Sequence, residues 1–152
     1  MITKANKSDL FEITDLIIQM YVEGGYQDIL RDDAKAFILQ TYQDLYDKGR
    51  AQHFIIKSGS GSKIVSCAGA FIKTDMLSTF KKTPHFGFIT NVYTAPKHRN
   101  QGHATLLATR AIDWLFENKI EDVRLISTKD SRRIYEKMGF KSTDEMILSG
   151  NV

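Results

Sequence analysis

Between Phe86 and Leu115 the sequence passes from a β-type run, through a short basic turn, directly into an amphipathic helix. Phe86 to Thr94 reads as a strand stopped by Ala95-Pro96. Ala104, Leu107, Ala108, Ala111 and Leu115 then recur at the three- and four-residue spacing of one helix face. A strand that hands over to a helix in this way, with further strands and helices on either side, points to a mixed α/β or α+β domain.

The flanking sequence fills in the rest. Met1 to Ala5 suits a short strand, and Ser8 reads as the N-cap of a helix whose face is Leu10, Ile13, Leu16, Ile17, Met20 and Tyr21. Gly24-Gly25 ends that helix. A second helix follows Asp32, with Ala34, Phe37, Ile38, Thr41 and Leu45 on its inner face and Gly49 as its stop. His53–Lys57 and Ile64–Lys73 are β-type runs, and Ser58-Gly59-Ser60-Gly61-Ser62 between them reads as a hairpin turn. The polar stretch from Thr74 to His85, with Lys81-Lys82-Thr83-Pro84, is long for a hairpin loop. Val123, Leu125 and Ser127 alternate with Arg124 and Ile126 in a further strand. Ser131 to Met138 forms a short helix closed by Gly139, and Glu145 to Ser149 is expected as a last strand. No repeat or boundary divides the chain, so residues 1–152 are expected to form a single domain.

Composition narrows the function classes. A formal charge of +3 is too mild to argue for a nucleic-acid partner, even at pI 8.9. Apolar stretches fall well short of the roughly 18 residues of a spanning helix, and no secretory h-region is visible, so a cytoplasmic protein without a membrane partner is expected. Cys67 is the one cysteine and lies in the apolar run Ile64 to Ile72, the setting of a small buried hydrophobe. No closely spaced Cys/His set stands ready to bind a metal.

The turn itself carries the chemistry. A helix's first turn offers unpaired N–H groups and the positive end of its dipole, which together hold an anion. Gly102 removes a Cβ from that opening, Ala104 keeps the next turn slim, and Lys97, Arg99, His98 and His103 bring positive charge. A pyrophosphate suits it. Neither G-x-x-x-x-G-K-[ST] nor G-x-G-x-x-G is present, so the turn is not a P-loop or a dinucleotide fingerprint.

Arg99-x-x-Gly102-x-Ala104 resembles the R/Q-x-x-G-x-G/A motif of the GNAT (Gcn5-related N-acetyltransferase) superfamily. About thirty residues on, Tyr135-Glu136-Lys137-Met138-Gly139-Phe140 is similar to that family's Y-E-K-x-G-F signature, again after a strand. The order of elements matches the family's βααβββαβαββ over essentially the whole chain. The resemblance implies a GNAT fold, with a central twisted mixed sheet of about six to seven strands and helices on both faces. It also implies acetyl-CoA as the donor cosubstrate, no metal, and an amine acceptor. Homodimers through the C-terminal strands are common in the family.

Residue roles follow from the same resemblance. Val92, Tyr93 and Thr94 would lie along the pantetheine arm and acetyl carbonyl, where two strands splay apart. Arg99 and Asn100 would open the pyrophosphate loop, and Gln101, Gly102, His103, Ala104 and Thr105 would wrap it with main-chain N–H groups. Thr128 and Ser131 stand where the family commonly has Asn and Ala, so they depart from its pattern. Tyr135 falls at the family's general-acid position, where a phenol can protonate the departing thiolate; as a residue of a short helix it also suits simple packing.

The resemblance supplies no base. Thr90 occupies the strand position where many members carry a carboxylate, which leaves a water wire, another group such as His85, or an acceptor of low pKa. Glu23, Asp28, Asp32 and Asp33, with Tyr21 and Tyr26, suit either a groove for a cationic amine or a solvated helix–helix turn. The leading reading is transfer to the primary amine of a small molecule by direct attack. The alternatives are a protein lysine or N-terminal acetyltransferase, and a non-catalytic acyl-CoA-binding sensor.

Overall fold

The computed structural model describes residues 1–59, 63–76 and 82–150. Five strands form one sheet, β1 Ile2–Lys4, β2 Ala51–Lys57, β3 Ile64–Thr74, β4 His85–Thr94 and β5 Val123–Leu125, in that spatial order. Neighbours pair antiparallel from β1 to β4, and β5 runs parallel to β4. Four α-helices, α1 Leu10–Glu23, α2 Ala34–Asp47, α3 His103–Glu117 and α4 Arg132–Lys137, complete the fold. The mixed α/β architecture is therefore as expected, with five strands among the described residues.

Helices cover both faces of the sheet. On one side, Leu107, Ala111, Trp114 and Leu115 of α3 pack on Phe54, Ile56, Ala68, Ala70 and Ile89. On the other, Leu10, Ile13, Leu16 and Ile17 of α1 pack with Ile55, Ile64, Cys67 and Tyr93, and Ile38, Leu39, Tyr42 and Tyr46 of α2 lean on that cluster. A strand covered on both faces needs no polar side, which is why β3 is buried without interruption from Ile64 to Phe71.

Within β4 the alternation breaks. Ala68 of β3 faces both Asn91 and Val92, because the register jumps between Cys67↔Tyr93 and Gly69↔Thr90. This is a β-bulge, and Asn91 adopts φ 56° within it. Its effect is visible in the packing. Ile89 points into the α3 cluster while Tyr93, four residues on, points into the α1 cluster. Without the extra residue, both would share one face.

Several local expectations are corrected. The cap before α1 is Asn6, whose Oδ1 accepts from the N–H groups of Ser8 (3.0 Å) and Asp9 (3.3 Å). Asp9 Oδ2 in turn accepts from Asn6 N–H at 2.9 Å, a reciprocal box that leaves Ser8, two residues on, inside the turn. The inner stripe of α2 is rotated from the expected one: Phe37 is 51% exposed under the Arg31 guanidinium, while Tyr42 and Tyr46 turn inward. Their hydroxyls find buried partners there, which makes burial of a phenol favourable. β5 ends at Leu125, so Ile126 and Ser127 lie beyond it.

The strand expected over Glu145–Ser149 is absent: residues 141–150 carry no regular structure, and Met146, Ile147 and Leu148 are almost fully exposed. Strand propensity alone does not hold a segment that no ladder receives. Of the hairpin turn, Ser60-Gly61-Ser62 lies outside the described residues; Ser58 N–H donates to Lys63 O at 2.7 Å across its base. Residues 77–81 of the polar loop, Lys81 among them, also lie outside. Among the described residues no helix is long and apolar enough to cross a membrane.

Candidate active site

β4 and β5 pair only from Gly87↔Val123 to Ile89↔Leu125. From Thr90 onward β4 continues without a β5 partner, so Val92 and Thr94 lie on the edge where the two strands part. The chain leaves β4 through Ala95 and a turn of 3₁₀ helix at Pro96–His98, then enters α3. The expected splay and the expected helix N-terminus thus stand in succession along the chain.

Gly102 is the N-cap of α3, with φ 73° and ψ 8°, a left-handed conformation that a side chain resists. A Cβ built on it meets nothing within 4 Å, so the space before the helix is open. No side chain caps this end, which leaves the N–H groups of His103, Ala104 and Thr105 without acceptors inside the helix. His103 Nδ1 is buried without a hydrogen-bond partner, an orphaned group beside the same opening. Uncapped N–H groups, an orphaned imidazole nitrogen and open space fit a pyrophosphate. Asn100 also has positive φ, at 61°, and like Gln101 it is exposed.

Arg99 is engaged elsewhere. Its guanidinium lies 2.7 Å from Glu23 Oε1 and donates to Glu23 Oε2 at 2.8 Å, while its Nε donates to Thr94 O at 2.9 Å. Tyr93 Oη donates to Glu23 Oε2 at 2.7 Å. Glu23, the last residue of α1, thereby ties the turn after β4 to that helix. The Tyr93 hydrogen bond and then the Arg99 guanidinium hold the Glu23 carboxyl below its ordinary range. Burial and the adjoining carboxylate push the Tyr93 phenol up to about 12. Of the four acids read as a possible amine groove, Glu23 is committed here, and Asp33 is bound by Arg31 at 2.7 Å. Tyr21 and Tyr26 meet edge to face at 6.4 Å.

Thr128 and Ser131 satisfy each other. Ser131 Oγ accepts from Thr128 N–H at 3.0 Å, and Thr128 Oγ1 accepts from Ser131 N–H at 3.3 Å, closing the turn that precedes α4. Tyr135 is half-buried on α4, its ring edge-on to Phe140 at 5.9 Å. Burial raises its pKa above the ordinary phenol value. It lines a cleft of about 850 Å³ with Val123, Leu125, Ser127, Arg132 and residues 140–145. None of the α3 N-terminal residues lines that cleft.

Two other readings are decided by position. His85 starts β4, with its Nδ1 3.3 Å from both Arg50 Nη2 and Thr74 Oγ1. It lies seven residues before Val92, roughly 23 Å along the strand, too far to take a proton there. Cys67 is fully buried, with its thiol donating to Asn91 O at 3.3 Å, and burial pushes its pKa up to about 12. It is inert packing.

The residues that the sequence did not single out are Asn91 and the buried groups around it. Asn91 Nδ2 lies 2.6 Å from Tyr42 Oη and 3.5 Å from His53 Nε2. Tyr46 Oη accepts from His53 N–H at 2.8 Å and lies 3.1 Å from His53 Nδ1. Their separations in sequence gave no signal; the one hint was an asparagine in an otherwise β-type run.

A mixed sheet that parts beside an uncapped, glycine-opened helix is the architecture of an acetyltransferase. The Acetyltransferase (GNAT) family matches residues 15–140, and the chain belongs to that family. Among solved structures, a predicted acetyltransferase from Clostridium acetobutylicum, crystallised with acetyl-CoA, is similar with TM-score 0.89 at 23% identity over 99% of this chain and 95% of that one. A GCN5-related N-acetyltransferase from Ralstonia eutropha gives TM-score 0.78 at 22% identity, covering 98% and 97%. Aminoglycoside 6'-N-acetyltransferase from Acinetobacter haemolyticus gives 0.70 at 21%, covering 100% and 98%. No curated protein matches the sequence.

Proposed function

We propose that the chain, as one domain, transfers the acetyl group of acetyl-CoA to the primary amine of a small molecule by direct attack. The observation that carries this reading is the uncapped N-terminus of α3, opened by Gly102, following directly on the edge of β4 that β5 leaves free. Gln101 to Thr105 would hold the pyrophosphate through main-chain N–H groups, with Arg99 and Asn100 shaping the loop. Val92, Tyr93 and Thr94 would line the pantetheine arm, with Thr128 and Ser131 on its far side.

The chemistry needs few groups. The amine nitrogen attacks the thioester carbon, and a backbone N–H on the free edge stabilises the oxyanion that develops. The intermediate then collapses, breaking the C–S bond, and Tyr135 gives its proton to the thiolate and regains one from water. Thr90 supplies no base, so the acceptor enters as the free amine and releases its second proton to water. The likeness in fold to an aminoglycoside N-acetyltransferase supports a small acceptor over a protein lysine or N-terminus. A homodimer and a cytoplasmic location are part of the same reading.

One observation favours a second reading, an acyl-CoA sensor without turnover: the residue at position 90 is threonine. CoA thiol release from acetyl-CoA, measured against a panel of small amines and lysine peptides, separates the two. Release with a small amine supports the proposal, release only with peptides moves the acceptor to protein, and binding without release favours the sensor.

A further inference from the structure

The β4 bulge changes which face every later residue of the strand presents, so whatever holds the bulge sets the geometry of the free edge. Asn91 is the residue at its centre. Its φ of 56° lies in the left-handed region, which asparagine tolerates better than other residues with a Cβ. Its side chain is 4% exposed and reaches α2 through Tyr42 Oη at 2.6 Å and β2 through His53 Nε2 at 3.5 Å. Its carbonyl accepts from Cys67 Sγ.

His53 is itself immobilised. Tyr46 Oη meets both its backbone N–H and its Nδ1, and the rings of Tyr42 and Phe71 stand 4.9 and 5.4 Å from the imidazole. Below it, Gly69 gives the ring its space, since a Cβ there would lie 2.9 Å from His53 Nε2. Asn91 and His53 are buried, with Tyr42 and Tyr46 partly buried around them, so the cluster is part of the core. A polar cluster of this kind in a core is costly unless every member is held, and here the held member is the one with strained backbone.

We propose that Asn91 is a positioning residue of the transfer reaction, clamped by Tyr42 and His53 so that the bulge aims the Val92 N–H at the acetyl carbonyl. This rests on the proposed function. The bulge also leaves Tyr93 on the α1 side, where its hydroxyl meets Glu23.

The test reads the carbonyl itself. Acetyl-CoA labelled with ¹³C at the thioester carbonyl is bound to wild type, Tyr42→Phe and Asn91→Gly, and its infrared stretch is recorded with the dissociation constant and a thermal melt. Glycine accepts the positive φ but has no side chain to clamp, and Tyr42→Phe removes one hydroxyl from a folded core. The expected result is a red-shifted stretch in wild type and at least half of that shift lost in both variants. Acetyl-CoA affinity should stay within about threefold, because the pyrophosphate cradle is untouched. With an amine identified by the release assay, kcat should fall by about tenfold or more at little cost in KM. If Asn91→Gly does not fold, Tyr42→Phe alone carries the test. Variants that keep the wild-type shift, or a wild type that binds acetyl-CoA without any shift, overturn the positioning role while leaving acetyl-CoA binding intact. A wild type that fails to bind acetyl-CoA overturns the proposed function and this inference together.

Discussion

Arg99 and Glu23 stand 76 residues apart in sequence and form a 2.8 Å charge-assisted hydrogen bond. The pair joins the end of α1 to the turn that leads into α3, and Tyr93 adds a second donor to the same carboxylate. Arg99 is the first residue of the R-x-x-G-x-A motif, yet its guanidinium braces the loop from behind.

Glu23→Gln is therefore expected to raise KM for acetyl-CoA severalfold with little change in kcat, because it loosens the cradle without touching the reacting atoms. Steady-state kinetics checks this. The Glu23 carboxyl is held below its ordinary value of 4.5, so its stabilising effect is complete above that pH and is lost as pH falls through the depressed value. Thermal melts should converge for wild type and Glu23→Gln at low pH. Both partners are well exposed, so the difference should also shrink in high salt.

Burial pushes the pKa of His53 down to about 3. An unfolded histidine titrates near 6.5, so the neutral ring favours the folded state fully above that pH. As pH falls from about 6.5 towards 3 the unfolded state takes up a proton that the folded state refuses, and stability drops by about 1.4 kcal/mol per pH unit from this group. Denaturant melts between pH 7 and 4 should show the slope, and His53→Gln should flatten it while lowering stability at pH 7.

Gly102→Ala places a methyl in open space but in a left-handed backbone, at a cost of about 1 kcal/mol. The larger effect is expected on the ligand. The methyl stands before the first turn of α3, where the pyrophosphate is proposed to lie, so acetyl-CoA should bind about tenfold more weakly. Calorimetric titration alongside a thermal melt distinguishes the two losses.

Tyr135→Phe is expected to lower kcat by about a hundredfold with acetyl-CoA affinity unchanged. Because burial raises the Tyr135 pKa, the acid stays protonated through neutral pH and activity should fall only in strongly alkaline solution. With threonine at position 90 in place of a carboxylate, the rising limb of the pH–rate profile should follow the pKa of whichever amine is used, which a series of acceptors would reveal.

Much of this was legible in the sequence because it depends on neighbours along the chain. The periodicity of Leu10 to Tyr21 and of Leu107 to Leu115 fixes two helices, and the passage from Thr94 to Gly102 fixes a turn with an open helix end. Motif spacing placed Tyr135 after a strand, where the structure puts it. Local signals were weakest where competing residues stood side by side: Asn6 and Ser8 are both good caps, and only the reciprocal bond to Asp9 chose between them. The apolar run Met146-Ile147-Leu148 reads as a strand, but a strand exists only where another offers its hydrogen bonds.

The sequence by itself therefore determined the order of helices and strands from β1 to α4, the glycine-opened turn and the tyrosine after the fifth strand, since each rests on spacing or on one residue's backbone preference. Tertiary structure alone decided that Arg99 faces Glu23, that α2 turns Tyr42 and Tyr46 inward, and that Asn91 is clamped at a bulge. Those outcomes are set by which buried polar groups must satisfy one another across the core, and no spacing along the chain encodes that.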